Sequence, residues 1–328
     1  MVIIEPQASI ADINYGLDIG GTKIELAIFN AEFKLVQSWR TPTPKDDYAE
    51  FLNVVCEMIK DADVKSKTLG NIGIGLPGVV TEDEEFISSN VPALNGQNFR
   101  ADLSSLLSRR VGIENDAKTF VVSESNGGAI AGSTNSLGVI LGTGLAGCQY
   151  VNGGIVRGNQ GMAGEFGHIS FSTVMREKYG FPILSCGCGN TGCAESYLSG
   201  NGLKWMCRYF NAPYKRAPEL IIGLQNKEEK AREVFSSYID CLGDYFAQLT
   251  MIFDPEKIVL GGGLSKITEI YQELPNSIER HLIDGLKAPI IVSPVFGDSS
   301  GVRGAAIIGQ KKAIVNFQST ESLTNESE

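Results

Sequence analysis

The chain has no block of lysine and arginine, no basic leader segment and no apolar run close to the ~20 residues a membrane span requires. Its 28 Lys and Arg are outnumbered by 38 Asp and Glu, for a formal net charge of -10. That balance excludes a nucleic-acid footprint and leaves an anionic membrane without a counterpart. Any phosphate bound here has to be held by local backbone groups or a metal. The first residues, MVIIEPQASIADIN, carry an apolar run of four that Glu5 and Pro6 interrupt, so they do not read as a signal peptide and the expected setting is cytoplasmic. The cysteine count, seven, is odd. In a reducing setting disulfides are the weak reading, and metal binding or buried thiols the strong one. Histidine is scarce, with two in the chain.

What is present fits an α/β enzyme. At 328 residues, 43% apolar and with 38 glycines, the chain predicts two lobes of about 150 residues each. Residues 15–19 form a short apolar strand running into Gly20-Gly21-Thr22. In KIELAIF, Ile24, Leu26 and Ile28 alternate with their neighbours at period two. Asn30-Ala31-Glu32 marks a turn, KLVQSWR returns as a third strand, a helix begins near Asp46, and NIGIG leads into Leu76-Pro77-Gly78. In the middle of the chain LGVIL runs into Gly142-Thr143-Gly144, followed by the hairpin GCQYV, NGG, IV. Strand, Gly/Thr turn and hairpin thus occur twice, as an internal duplication would leave them. Apolar positions from Ala231 to Leu249 recur at helical spacing. EKIVLGGGLS supplies another strand ending in glycines, and a last helix begins near Gly301.

LDIGGTK is neither the G-x-G-x-x-G dinucleotide fingerprint nor a Walker A loop, because its glycines join two strands. Gly20 and Gly21 would allow backbone N–H groups near a phosphate, with the Thr22 hydroxyl and Lys23 beside them. Asp18 would be repelled by that phosphate unless Mg²⁺ lay between, so it is a candidate to hold the metal of Mg-ATP. Taken alone, this turn is equally well read as a tight hairpin without a ligand. Three such turns at strand ends favour a nucleotide between two lobes.

IENDAKTFVVSES reads as a strand end and then a helix. Asn115 or Asp116 can serve as an ordinary helix cap. Asp116 can also accept the proton of an attacking hydroxyl, and a helix N-terminus would favour its ionised form. Cys186, Cys188 and Cys193 are spaced C-x-C-x₄-C, with Gly187, Gly189 and Gly192 letting the chain fold back, and His168 stands 18 residues before Cys186. Cys₃His is a closed structural zinc set, and the spacing is not the C-x-x-C of redox pairs. Three unligated thiols remain the alternative. Glu165 and Glu195 flank the cluster in sequence, an arrangement suited to hydrogen-bonding vicinal sugar hydroxyls.

GMAGEFGH followed by CGCGNTGCAESYLSG closely resembles the ROK family of bacterial sugar kinases and repressors. DIGGTK, ENDAK, LGTG, IVLGGGLS and GDSSGVRGAA fall in the family's order, so the likeness spans about residues 15 to 315. It implies a two-lobed, duplicated ribonuclease H-like fold of the sugar kinase, actin and Hsp70 type, with the active site in the interlobe cleft. The expected parts are an extension over 1–14, a small lobe over 15–122 with a helix over 301–316 packing back on it, a large lobe with the zinc site over 123–300, and a frayed tail over 317–328. The implied activity is transfer from ATP with Mg²⁺ to the 6-hydroxyl of a hexose, with Asp116 as base. Implied sugar contacts are Gly78, Asn115, Asp116, Glu165, His168 and Glu195. Implied ATP contacts are Leu17, Asp18, Ile19, Gly20, Gly21, Thr22, Lys23 and Ile24, and Gly144, Leu145, Ala146, Gly147, Cys148, Gln149, Tyr150 and Val151. Structural Zn²⁺ would be held by His168, Cys186, Cys188 and Cys193, and a homodimer is expected.

SSNVPALNG, GEFGH, FPILSCGCGNTGC and ESYLSGNGL are most similar to the amino-sugar branch, so the expected substrate is N-acetyl-D-glucosamine. LNGQNF and GDSSGVRGAA are also similar to the mannose/fructose branch, which leaves mannose, fructose or glucose as the alternative. Ala146 and Cys148 stand where the family usually has glycines, and Lys118 where many members have Asn, beside Asp116. A sugar-sensing repressor needs a helix-turn-helix of roughly sixty residues, whereas 14 residues precede the first strand here. A zinc hydrolase needs an open coordination position that Cys₃His does not leave.

Overall fold

Strand β1 (Asn14–Ile19) is buried along almost its whole length and pairs antiparallel with β2 (Lys23–Phe29), so that Asp18 faces Glu25 and Ile19 faces Ile24. The computed structural model to which this strand belongs describes residues 12–80, 86–88 and 90–311. The expected extension lies outside the described residues over 1–11. So do the last part of the C-terminal helix, over 312–316, and the expected tail over 317–328. The described chain divides into two compact units, one of the described residues up to Ser123 with Asn159–Gly161 and 299–311, the other Glu124–Gly158 with Met162–Asp298.

In the first unit β2 also pairs antiparallel with β3 (Leu35–Pro42). Helix α1 (Tyr48–Ser66) starts where the Asp47 carboxylate accepts the Glu50 amide at 2.9 Å. It buries Phe51, Val55, Ile59 and Ala62, a stripe of 4, 4 and 3 residue steps that only a helix places on one side. Strand β4 (Asn71–Leu76) lies parallel to β1. Two short strands, β5 (Val79–Val80) and β6 (Phe86–Ile87), pair antiparallel, and α2 (Phe99–Leu107) follows. Strand β7 (Val111–Asn115) pairs parallel with β4 and passes directly into α3 (Asp116–Ser125). The sheet order is β3-β2-β1-β4-β7. A helix over 300–311 lies on this sheet so closely that a Cβ added to Gly16 would fall 1.8 Å from the Val302 carbonyl oxygen, and one added to Gly73 would fall 1.8 Å from that of Ala305. Glycines inside these strands mark that approach.

The second unit repeats the plan. Strand β8 (Asn135–Leu141) pairs antiparallel with β9 (Leu145–Val151), which pairs with β10 (Gly154–Ile155). Helices α4 (Thr173–Tyr179), α5 (Glu195–Leu198), α6 (Gly200–Tyr209), α7 (Ala217–Gln225) and α8 (Glu229–Phe253) follow. Strand β11 (Lys257–Gly261), helix α9 (Thr268–His281) and strand β12 (Ile290–Val292) complete the unit, and the order β10-β9-β8-β11-β12 matches the first sheet strand for strand. Both sheets join one antiparallel hairpin arm to parallel neighbours, which is the two-lobed α/β fold expected from the duplicated turns. Helix α8 packs on α9 over a core that includes Val234, Tyr238, Leu242 and Phe246. Among the described residues no helix is long and apolar enough to cross a membrane.

Candidate functional site

In the first unit three parallel strands end side by side. The register sets Asp18 of β1 opposite Gly75 of β4, and Leu76 opposite Asn115 of β7. The Gly20-Gly21-Thr22 turn, the loop at Gly78 and the Asn115-Asp116 step therefore all lie at the carboxyl ends of strands, where open α/β sheets bind ligands. Gly20 gives its amide to the Lys23 carbonyl at 2.9 Å, which closes the turn, and Thr43 Oγ1 donates to the Gly20 carbonyl at 2.7 Å. Gly21 has to be glycine, because a Cβ there would meet the Asn90 carbonyl oxygen at 2.7 Å. Burial pushes the Asp18 carboxyl up to about 7, with the Asp116 and Glu25 charges adding to the shift and Lys23 and Arg40 opposing it. Gly301, in the first turn of the helix over 300–311, leaves room for that carboxylate, since a Cβ there would sit 3.0 Å from Asp18 Oδ2.

Asn115 is held from both ends. Its Nδ2 donates to the Gly78 carbonyl at 2.9 Å, and its Oδ1 accepts the Ala117 amide at 2.9 Å. Gly78 adopts φ 123, and a Cβ would meet the Ile87 carbonyl oxygen at 2.4 Å. Asp116 Oδ1 takes the same Ala117 amide at 2.8 Å. Cap and functional site are thus one step of chain. A helix N-terminus by itself would hold Asp116 ionised, but burial outweighs the backbone amides and raises its pKa. Lys118, the departure beside it, is 4% exposed and directs its ammonium to the Gly161 carbonyl and toward Glu114.

In the second unit β8 and β11 also end together, with Ile140 opposite Gly261. The Gly142–Gly144 turn closes through the Gly142 amide and the Gly144 carbonyl at 3.0 Å. Gly262, at φ 79, packs so tightly on it that a Cβ would lie 2.6 Å from Leu141 backbone atoms. Residues 145–151 are the regular strand β9. Leu145, Gly147 and Cys148 are buried, while Ala146, Gln149, Tyr150 and Val151 keep part of their surface open. Ala146 and Cys148 pair with Ile140 and Gly138 of β8 in an unbroken antiparallel register. The GMAGEFGH segment lies on β9: Gly147 donates to the Gly164 carbonyl at 2.8 Å, and Gly167 would clash with the Leu145 carbonyl at 2.0 Å if it carried a Cβ.

One His and three Cys converge. The ligand atoms of His168, Cys186, Cys188 and Cys193 all lie within 4.8 Å of one another. Cys188 and Cys193 sulfurs are 3.7 Å apart, and Cys186 Sγ is 3.6 Å from His168 Nδ1. A disulfide would be about 2.05 Å. A tetrahedron of Zn–S bonds of about 2.3 Å has edges of about 3.8 Å, which the sulfur pair matches. Gly189 at φ 91 and Gly192 at φ 75 turn the chain back, whereas Gly187 takes no left-handed conformation. Burial and the adjacent thiols push the Cys193 thiol up. The Asn190 backbone, in contrast, holds the Cys188 thiol down, and a cation bound here would deprotonate the thiols that ligate it. The donor set fits a closed tetrahedral ion.

Two carboxylates adjoin the cluster. Glu165 Oε2 is 3.8 Å from His168 Nε2, the ring nitrogen that faces away from Cys186. Glu195, which opens α5, lies with Oε1 3.8 Å from Cys186 Sγ and with Oε2 accepting the Leu145 amide at 2.9 Å. That second bond, like the carbonyl taken by Lys118 and the room left by Gly301, had no signal in the sequence, because each joins residues far apart in the chain. An open pocket of about 320 Å³ beside the cluster is lined by Thr143, Ser185, Glu195, Ser199, Asn201 and Trp205 among others. A larger groove of about 670 Å³, at Leu224, Glu233 and Glu273, contains none of the candidate residues.

The model of the ROK family matches residues 14–312. An N-acetylgalactosamine kinase, AgaK, of Shewanella sp. (strain ANA-3) is 43% identical over 295 residues, covering 90% of this chain and 96% of its own. An N-acetyl-D-glucosamine kinase of Yersinia enterocolitica is 40% identical over 301 residues, covering 91% and 99%. Among solved structures, a ROK hexokinase from Thermus thermophilus superposes with a TM-score of 0.79 at 29% identity, over 92% of this chain and 99% of the other.

Proposed function

The chain belongs to the ROK family, and from that premise we propose that it is an amino-sugar kinase. In this reading it transfers the γ-phosphoryl group of ATP to the 6-hydroxyl of N-acetyl-D-glucosamine. The observation that carries the reading is the set of relatives named N-acetyl-D-glucosamine kinase, near 40% identical over nine-tenths of the chain. Asp116 accepts the proton of the 6-hydroxyl as its oxygen attacks the γ-phosphorus and ADP leaves. A raised pKa suits that task, because a base works best when its pKa approaches the working pH. Asn115, Gly78, Glu165, His168 and Glu195 orient the sugar. Phosphoryl transfer needs mainly positioning and charge neutralisation, which the turns at Gly20–Lys23 and Gly142–Gly144 supply through backbone amides. Asp18 would hold the Mg²⁺ of the nucleotide, and His168, Cys186, Cys188 and Cys193 a structural Zn²⁺ that orders the loop carrying Glu195. The setting is the cytoplasm and the assembly a homodimer, which light scattering on the purified protein checks.

N-Acetyl-D-galactosamine is a second reading, favoured by the 43% identical AgaK. The two sugars share the N-acetyl group and differ in the configuration of one hydroxyl, at C4. The deciding measurement is kcat/KM with Mg-ATP for both N-acetylhexosamines, glucose, mannose and fructose. A preference for N-acetyl-D-glucosamine of tenfold or more, about 1.4 kcal/mol, is expected. The reverse preference selects the galactosamine reading, and activity confined to the unacetylated hexoses overturns both.

A further inference from the structure

The Gly142–Gly144 turn is held by more than its own backbone. Gly200 donates its amide to the Gly142 carbonyl at 2.8 Å, and Glu195 Oε2 accepts the Leu145 amide at 2.9 Å. Both anchors come from the segment 195–200, directly after Cys193, and only the Glu195 anchor is a side chain. Gly144 leaves the space for it, since a Cβ there would sit 2.5 Å from Oε2. We propose that Glu195 is a positioning residue for the nucleotide turn, holding the Leu145 amide whether or not sugar is present. This rests on the kinase reading above.

The chemistry of the pair predicts a signature that a sugar contact alone does not produce. A carboxylate beside a phosphate-binding turn repels the phosphate, so any benefit of Glu195 to nucleotide binding has to come from its acceptor oxygen and not from its charge. The hydrogen bond fixes the path of the chain leaving the turn, and backbone amides can cradle a phosphate only when that path is set. An isosteric amide keeps the acceptor oxygen and removes the charge. Deleting the side chain removes both and frees the turn.

The experiment is calorimetric binding of Mg-bound, non-hydrolysable ATP analogue to the zinc-loaded protein without sugar. Wild type, Glu195→Gln and Glu195→Ala are compared, with metal content and thermal unfolding measured on each. Glu195→Ala is expected to weaken nucleotide binding tenfold or more, and Glu195→Gln to bind at least as tightly as wild type. Unchanged nucleotide affinity in Glu195→Ala, with only sugar affinity reduced, overturns the proposal and leaves Glu195 a sugar contact. If Glu195→Ala does not fold, Gly144→Ala takes its place. Its Cβ displaces the carboxylate and should give the same loss, and wild-type affinity there overturns the proposal equally. A wild-type protein that binds no nucleotide sinks the kinase reading itself, a different outcome from a wild type that binds and an Ala variant that binds equally.

Discussion

The ammonium of Lys118 donates to the carbonyl oxygen of Gly161 at 2.5 Å, joining residues 43 positions apart. Glu114 Oε1 is 3.8 Å from the same nitrogen, with side chains of 5% and 8% exposure. Lys118 lies two residues along the helix from Asp116, where many family members have Asn. Its charge is engaged with a carbonyl and a second carboxylate, and the raised pKa of Asp116 comes from burial. Removing one partner of a buried pair is costly because the other charge stays buried. Lys118→Met should therefore lower the unfolding free energy by about 2–4 kcal/mol, read by urea titration. A loss below about 0.5 kcal/mol, the scatter of ordinary surface changes, counts against this account.

Asp18 predicts a pH-dependent cost. Its folded pKa of about 7 lies above the ordinary carboxylate value, so the folded protein binds a proton that the unfolded chain gives up. Stability owed to this group is present below pH 4 and is lost as pH rises toward 7. Asp18→Asn should accordingly stabilise the ligand-free protein at pH 7.5 while changing little at pH 4. Asp18 keeps part of its surface open, so the full shift overstates the gain, and about 2 kcal/mol is expected. Equal effects of the substitution at both pH values would show that Asp18 titrates normally.

Asp116 predicts a displaced acid limb. As a base it must be ionised, and burial raises its pKa, so kcat/KM should climb with pH through a limb above the usual carboxylate range near 4. The Asp116 charge helps raise the Asp18 pKa, so the two carboxylates interact and the limb reports the pair. Asp116→Asn should lower kcat by about 10³-fold and leave sugar KM within a few-fold. Retained turnover would remove Asp116 from the base role.

The sequence carried the strands, the long helix and the His/Cys cluster because each writes a local signature. Ile24, Leu26 and Ile28 alternate, the run from Ala231 to Leu249 repeats at helical spacing, and three cysteines within eight residues need only two left-handed glycines to converge. Strand order was not written this way. Matching β3-β2-β1-β4-β7 to β10-β9-β8-β11-β12 depends on which parallel neighbours pair, and that is a long-range choice. The electrostatics of Asp116 depend on long-range choices in the same way. A helix N-terminus is visible in ENDAK, whereas the burial that outweighs it is set by the tertiary fold. Strand glycines were read as turn punctuation where they end a strand, but Gly16 and Gly73 sit inside one, and their partner helix lies more than two hundred residues away.

If the His/Cys cluster holds zinc as proposed, loss of the metal and loss of order are coupled. Cys188→Ser leaves two thiols and an imidazole, one ligand short of a closed tetrahedral site. Metal analysis of the purified variant should find well under one zinc per chain, and its thermal midpoint should fall by several degrees. Because thiols must lose protons to bind, wild-type zinc affinity should also fall as pH is lowered from 8 to 6. Stoichiometric zinc in the variant would refute the ligand set.

Gly73 tests the close packing of the helix over 300–311 on the first sheet. Most glycine-to-alanine changes remove unfolded-chain entropy and are mild or favourable where the backbone permits. Here the backbone permits alanine, since Gly73 lies in an ordinary strand with no left-handed φ. The obstacle is space: the new Cβ would fall 1.8 Å from the Ala305 carbonyl oxygen and 2.8 Å from the Gly309 amide nitrogen. Neither neighbour is the end of a flexible side chain, so the helix itself has to move off the sheet. Gly16 faces Val302 in the same way, and Gly304 and Gly309 on the helix face Thr119 and Ile72, so a shift at one contact is resisted at the others. Gly73→Ala should therefore cost about 3 kcal/mol or more, the upper range for overpacking, measured as a drop in urea midpoint. Gly96→Ala is the control for overpacking. It has open space around its Cβ but a φ of 71, so its smaller loss, about 1 kcal/mol, would come from backbone strain alone. If Gly73→Ala is no worse than Gly96→Ala, the helix is not seated against β1 and β4 as closely as these contacts require.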